Sequence, residues 1–206
     1  MTSKRFTRRE TFALTGAAAA IALTPNAAAA KIPDQEQPAI NTGMFDPLTD
    51  LPNEALFVDR MRSLMRIEGT GLTVAVIDID DWQARKTELG ERIIPPAILT
   101  FAKRITRHAN GELHTVGRIG EAQFGLLFTT NDRLTVELET IRRAIRTPMW
   151  LLRRDRFFTA SIGIMRQQNF HTHLGTDMLA MTRHAAVAAR HKGRDNVHYF
   201  DPRDVA

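Results

Sequence analysis

The 206-residue chain has no cysteine, which excludes disulfides, thiolate metal sites and a cysteine nucleophile. It carries no Gly-rich P-loop, no His-Glu-x-x-His helix and no internal repeat, which removes the simplest signatures of P-loop phosphate binding and zinc hydrolysis. No apolar run is long enough to cross a bilayer. The longest, roughly Phe12 to Leu23, is mostly alanine and falls well short of the ~20 residues a spanning helix needs. Excess positive charge is scarce too. Of the formal net charge of +5, Lys4, Arg5, Arg8 and Arg9 against Glu10 supply +3, and the remaining +2 is too weak to imply a nucleic-acid partner.

What is present begins with an address. Paired arginines Arg8-Arg9, the alanine-rich stretch, a break at Pro25-Asn26 and the small residues Ala27 to Ala30 follow the pattern of a secretory signal. The arginine pair makes it similar to a twin-arginine signal, although the first large apolar residue comes one position late. The expected organisation is a signal over residues 1–30, a polar linker over 31–43, one domain over 44–202 and a tail over 203–206. Localisation is then periplasmic or exported, with a membrane-anchored or cytoplasmic protein as the alternative.

Asn53 is a good N-cap, and Leu56, Phe57, Met61, Leu64 and Met65 follow at helical spacing, with Gly69 to Gly71 beyond. Leu72 to Ile79 is a β-branched run that predicts a buried strand. Pro95-Pro96 opens a second helix with Ile98, Leu99, Ala102 and Ile105 inside. Glu112 to Ile119 and Gln123 to Thr129 predict a hairpin. A helix capped by Asn131-Asp132 follows, with Leu134, Leu138, Ile141 and Ile145 inside. Trp150 to Leu152 and Phe157 to Met165 predict a second strand pair, Asp177 to Lys192 a helix ended by Gly193, and Asn196 to Phe200 a last strand. The arginines at 142, 143, 146, 153, 154 and 156 read as a solvated helix end and hairpin, with a site for an acidic partner as the alternative.

Five motifs stand in order: Asp46-Pro-Leu-Thr-Asp-Leu-Pro-Asn53, Val76-Ile-Asp-Ile-Asp-Asp-Trp82, Arg118-Ile-Gly-Glu-Ala-Gln-Phe124, Ala160-Ser-Ile-Gly163 and Lys192-Gly-Arg-Asp-Asn-Val197. As a set they resemble the GGDEF domain of bacterial diguanylate cyclases. The resemblance implies an α/β (α+β, palm-like) fold: a single central, mostly antiparallel sheet with helices packed on it. It also implies a reaction, the joining of two GTP molecules into cyclic di-GMP with divalent metal on the triphosphate.

The signature itself departs from the family: Gly120-Glu121-Ala122-Gln123-Phe124 stands where Gly-Gly-Asp/Glu-Glu-Phe is expected. By resemblance Asp78 is a metal ligand, but the other metal carboxylate falls on Ala122 and the signature acid on Gln123. Glu121 adds bulk and negative charge where the second glycine lets the backbone approach phosphates. Its rescue as a shifted ligand would need the opposite face of the strand. The two guanine readers fall on Lys86 and Pro95. The product-inhibition Arg-x-x-Asp falls on Gly111 and His114, leaving Arg118 as a neighbouring match. The phosphate side is partly kept: Arg190 and Arg194 match the basic positions of Lys-x-x-Gly-Arg, with favourable charges at a helix C-terminus as the alternative reading.

Among the seven histidines, the pairs His171/His173 and His184/His191 are weak as metal sites, and Ser161 reads as structural. The leading expectation is therefore a degenerate GGDEF domain acting as a regulatory or interaction module, with no catalytic residue and no cofactor. Mg2+ enters only under the cyclase reading, with Asp78 as one ligand of an incomplete site. Alternatives are an active or residual cyclase, and a nucleotide sensor without turnover that holds phosphates on Arg190 and Arg194. The partner is an unidentified protein or a second copy; GTP or a cyclic dinucleotide is a weaker candidate.

Overall fold

The computed structural model describes residues 43–67, 71–109, 113–129, 134–167 and 175–205. The signal, most of the linker, Gly69, Gly111, the cap at Asn131-Asp132, and His171 and His173 lie outside the described residues, as does the side chain of His114.

Helix α1, Glu54–Met65, starts where Asn53 accepts a hydrogen bond from the Leu56 N–H at 3.1 Å. Strand β1, Thr73–Ile79, is buried along its whole length. Its alternation sends Val74 and Val76 to one face, with Phe57 and Met61 of α1, and Ala75, Ile77 and Ile79 to the other. That second face is covered by α4, Leu134–Arg146, with the apolar stripe its spacing predicts, and by α3, Ile94–His108, which buries Ile98, Ala102 and Ile105 as expected but Ala97 and Phe101 in place of Leu99, which is half-buried. Strands β2, Leu113–Arg118, and β3, Gln123–Phe128, form the expected hairpin.

Strand β6, Ala160–Arg166, and α5, Gly175–His191, are followed by β7, Val197–Tyr199. The five-stranded sheet has the order β2-β3-β1-β6-β7, antiparallel throughout except for the parallel β6–β7 pair. The last turn, Pro202–Val205, is 3-10, and Asp204 accepts from His198 at 3.0 Å.

The Ala160-Ser-Ile-Gly163 motif has a packing reason. A Cβ on Gly163 would stand 2.3 Å from both the Thr182 carbonyl oxygen and the Ala186 nitrogen, so α5 lies directly on β6 only because the side chain is absent.

Two expectations need correction. A helix the sequence did not disclose, α2, Trp82–Leu89, follows β1. It has one buried residue, Trp82, and so no periodic stripe to read; its hold is the aromatic cluster of Trp82, Phe101 and Phe158, with ring centroids 5.3–6.4 Å apart. The expected pairing of Trp150–Leu152 with Phe157–Met165 does not occur. Strand β4, Met149–Leu151, pairs instead with β5, Arg154–Arg156, in a separate two-stranded sheet, while β6 joins β1. An Arg-Asp-Arg strand shows no alternation of apolar and polar residues, and its turn is Leu152-Arg153, both at positive φ (51° and 64°).

Candidate functional site

A cleft of about 450 Å³ opens at the C-terminal end of β1, between α2, the β2–β3 turn and the end of α5. Register explains how its residues meet. Asp78 pairs across strands with Gln123 on β3 and Ser161 on β6, so the Asp78 and Gln123 side chains share a face. That face is the one α5 covers, and Arg190, in its last turn, reaches in.

Asp78 Oδ2 accepts from Gln123 Nε2 at 3.2 Å and from the Arg190 guanidinium. Burial pushes the Asp78 carboxyl above its ordinary value, against the pull of Arg190 and Gln123. Two residues on, Asp80 is an anchor that no motif reading singles out. It is buried and accepts from Ser161 Oγ and Thr159 Oγ1 at 2.7 Å and from the Asp195 N–H at 3.0 Å, tying β1, the segment around β6 and the α5–β7 loop together. Ser161 thus has the structural role expected of it.

The signature turn is clipped from both sides. Glu121 accepts from Lys86 Nζ and Gln83 Nε2 of α2, each at 2.8 Å, and its carbonyl accepts from Arg118 Nη2 at 2.8 Å. The Lys86 hydrogen bond, followed by Gln83, holds the Glu121 carboxyl below its ordinary value despite some burial. Arg118 also pairs with Asp46 at 2.8 Å, and both are largely buried. Burial opposes ionisation of Asp46, but hydrogen bonds from Thr49 and Arg118 outweigh it and hold its carboxyl low. The Asp46 motif is therefore a turn that anchors Arg118.

Gly120, Glu121, Ala122 and Gln123 line the cleft with Asp78 and Arg190, whereas Phe124 is wholly buried in the core. Arg194 stands outside that lining, paired with Asp81 at 3.1 Å. The clip between Lys86 and Glu121 was missed because each residue was compared separately with the family position it occupies. Its only sequence signal was the opposite sign of the two departures.

The donor set does not fit a divalent cation. Of the three carboxylates that line the cleft, Asp78 already receives a guanidinium, Glu121 is held by Lys86 and Gln83, and Asp81 by Arg194; Ala122 has no side-chain donor atom, and Gln123 turns its amide N–H toward Asp78. Among the described residues no three His, Cys, Asp or Glu side chains stand close enough to share an ion.

The five-stranded antiparallel-plus-one sheet, with its cleft at the end of the central strand, defines an α+β domain of the nucleotide-cyclase type. The sequence profile of the family described as diguanylate cyclase, GGDEF domain, matches residues 43–196, and the chain belongs to the GGDEF family. Solved structures agree on the fold. TpbB (YfiN) of Pseudomonas aeruginosa, in a form comprising only its GGDEF domain, is 22% identical with a TM-score of 0.71, covering 78% of this chain and 96% of that one. The diguanylate cyclase SiaD of the same organism, solved with its activator SiaC, is 22% identical with a TM-score of 0.69, covering 76% of this chain. The match takes in 61% of the SiaD chain, so more than a third of SiaD has no counterpart in it. DgcB of Caulobacter crescentus, its coiled coil and GGDEF domain solved with c-di-GMP, is 23% identical with a TM-score of 0.66, covering 77% and 86%. A search among curated proteins finds no match.

Proposed function

We propose that this chain is a catalytically degenerate GGDEF-domain protein that works by binding, as a regulatory or interaction module. The observation that carries the reading is the pairing of Asp78 with Arg190 and Gln123. A guanidinium beside Asp78, the one carboxylate kept at a family metal-ligand position, repels a divalent cation, and an ion entering there would have to break a part-buried charge pair. The clip from Lys86 to Glu121 supports the same reading, because it joins the two positions that by family resemblance face the guanine edge and the phosphates.

The nucleotide-sensor alternative draws on Arg190 and Arg194, but each already holds a carboxylate, Asp78 and Asp81 respectively. Phosphate binding would exchange one anion for another. The cyclase alternative needs a second metal ligand that Ala122 does not provide.

The partner is a protein or a second copy of the chain. SiaD, solved with an activator protein, offers a precedent for the first. The arginine pair and alanine stretch of residues 1–30 support export. No helix among the described residues is long and apolar enough to cross a membrane.

Calorimetric titration of the full chain with GTP and Mg2+, beside an assay for cyclic di-GMP, tests the reading. The expected result is neither heat of binding nor product. Product that disappears in Asp78→Ala would overturn it; GTP binding without product, lost on charge reversal at Arg190 and Arg194, would favour the sensor.

A further inference from the structure

The β4–β5 hairpin lies outside the main sheet and outside the cleft, and its two faces differ. Met149 and Leu151 point inward and are buried. Its root is tied to α3 by Arg104, which donates to the carbonyls of Ile145 (3.0 Å), Thr147 (2.5 Å) and Pro148 (2.9 Å). Trp150 on the outward face and Leu152 at the tip are exposed to 70% and 50%, and Phe157, just past the end of β5, to 62%. Trp150 and its cross-strand partner Asp155 share the outward face, whereas Arg154, the partner of Leu151, leaves the strand from the other face beside the turn, and Phe157 follows β5 at the root of the hairpin. The tip is a two-residue turn with both residues at positive φ, a conformation that suits Asn-Gly, yet it holds Leu152 and Arg153 there at a cost in strain.

The neighbouring arginines are not equivalent. Arg142, Arg143, Arg146 and Arg156 have carboxylate partners. Arg153 and Arg154, at the tip, make no ion pair among the described residues.

We infer that the β4–β5 hairpin docks tip-first on an anionic membrane surface: Leu152 and Trp150 enter the interfacial layer while Arg153 and Arg154, beside the turn, meet lipid phosphates. A bilayer interface accepts an indole and a leucine together with guanidinium groups, and the turn sets Leu152 beside Arg153 and Arg154 with Trp150 one residue before it. Charge complementarity favours anionic over neutral lipid, with a contribution that falls as salt rises. Asp155 is the one acid of the hairpin and opposes the contact. The inference rests on the hairpin alone and holds whether or not the cleft binds nucleotide.

The chain supplies its own reporter. It has two tryptophans, and the other, Trp82, is buried in the aromatic cluster, so an emission shift on adding vesicles reports Trp150. The full chain is titrated with vesicles of phosphatidylglycerol and phosphatidylcholine in equal parts, and with phosphatidylcholine alone. The expected result is a blue shift with the anionic vesicles only. It should weaken about fivefold for each of Arg153→Ser and Arg154→Ser, vanish in Leu152→Asp, and strengthen in Asp155→Asn. This last variant guards against misfolding, since it predicts a gain. Three results would overturn the inference: vesicles that sediment the chain while the emission stays fixed, an equal shift on neutral vesicles, or no shift with either composition. The last would leave the hairpin to a protein surface.

Discussion

The interior end of β1 and the mouth of the cleft use polar groups in opposite ways. Inside, Asp80 is buried and fully engaged, with two hydroxyls and a backbone N–H from distant parts of the chain. At the mouth, Glu121 and Gln83 are exposed and Lys86 half-exposed, within reach of water that could replace their contacts. A buried carboxylate deprived of its partners is costly, whereas an exposed ion pair is worth little. The frame therefore depends on its inner knot and tolerates change at the rim. This is how a chain can belong to the GGDEF family while its signature reads Gly-Glu-Ala-Gln-Phe.

Breaking the frame should give the largest effects. Gly163→Ala forces a methyl into the α5 backbone and is expected to cost about 3 kcal/mol or to prevent folding; chemical denaturation reads it. Asp80→Ala leaves two hydroxyls and an N–H without their acceptor and should cost roughly 3 kcal/mol in the same measurement. If Asp80→Ala cost no more than a rim substitution, the contrast between interior and mouth would collapse.

At the tip, Leu152→Asn with Arg153→Gly should stabilise the chain by about 1 kcal/mol, because both residues then suit positive φ. Smallest is the clip. A double-mutant cycle on Lys86→Met and Glu121→Gln should give a coupling of about 0.5 kcal/mol. Its pH dependence has a fixed sign. The folded-state value of Glu121 lies below the ordinary 4.5, so the contribution is fully present above that pH and is lost as pH falls through the depressed value. Titrating the stability of wild type and Glu121→Gln toward acid should make the two curves converge.

The parts of the fold that were legible in sequence are those whose burial is periodic. Strand β1 and helices α3 and α4 announce themselves because each buries one face or both. Helix α2 buries Trp82 alone and the β5 strand is Arg-Asp-Arg, so neither leaves a pattern. At the site, Asp78 and Arg190 could each be named from the motifs, but their pairing needs the register of β1 and the reach of α5. The clip of Lys86 to Glu121 joins residues 35 apart in sequence, and no single-position comparison reveals it.

The strand order β2-β3-β1-β6-β7 also sets a timetable for assembly. Strand β1 is made early, yet one of its two edges stays open until β6, whose last residue is Arg166, leaves the ribosome. At ordinary synthesis rates that is a wait on the order of ten seconds with the backbone groups of that edge unpaired. Helix α5, which seals the sheet face, comes later still. A nascent chain of this kind therefore depends on something holding its middle third until its final third arrives, and truncation before β6 should yield aggregates rather than a smaller domain.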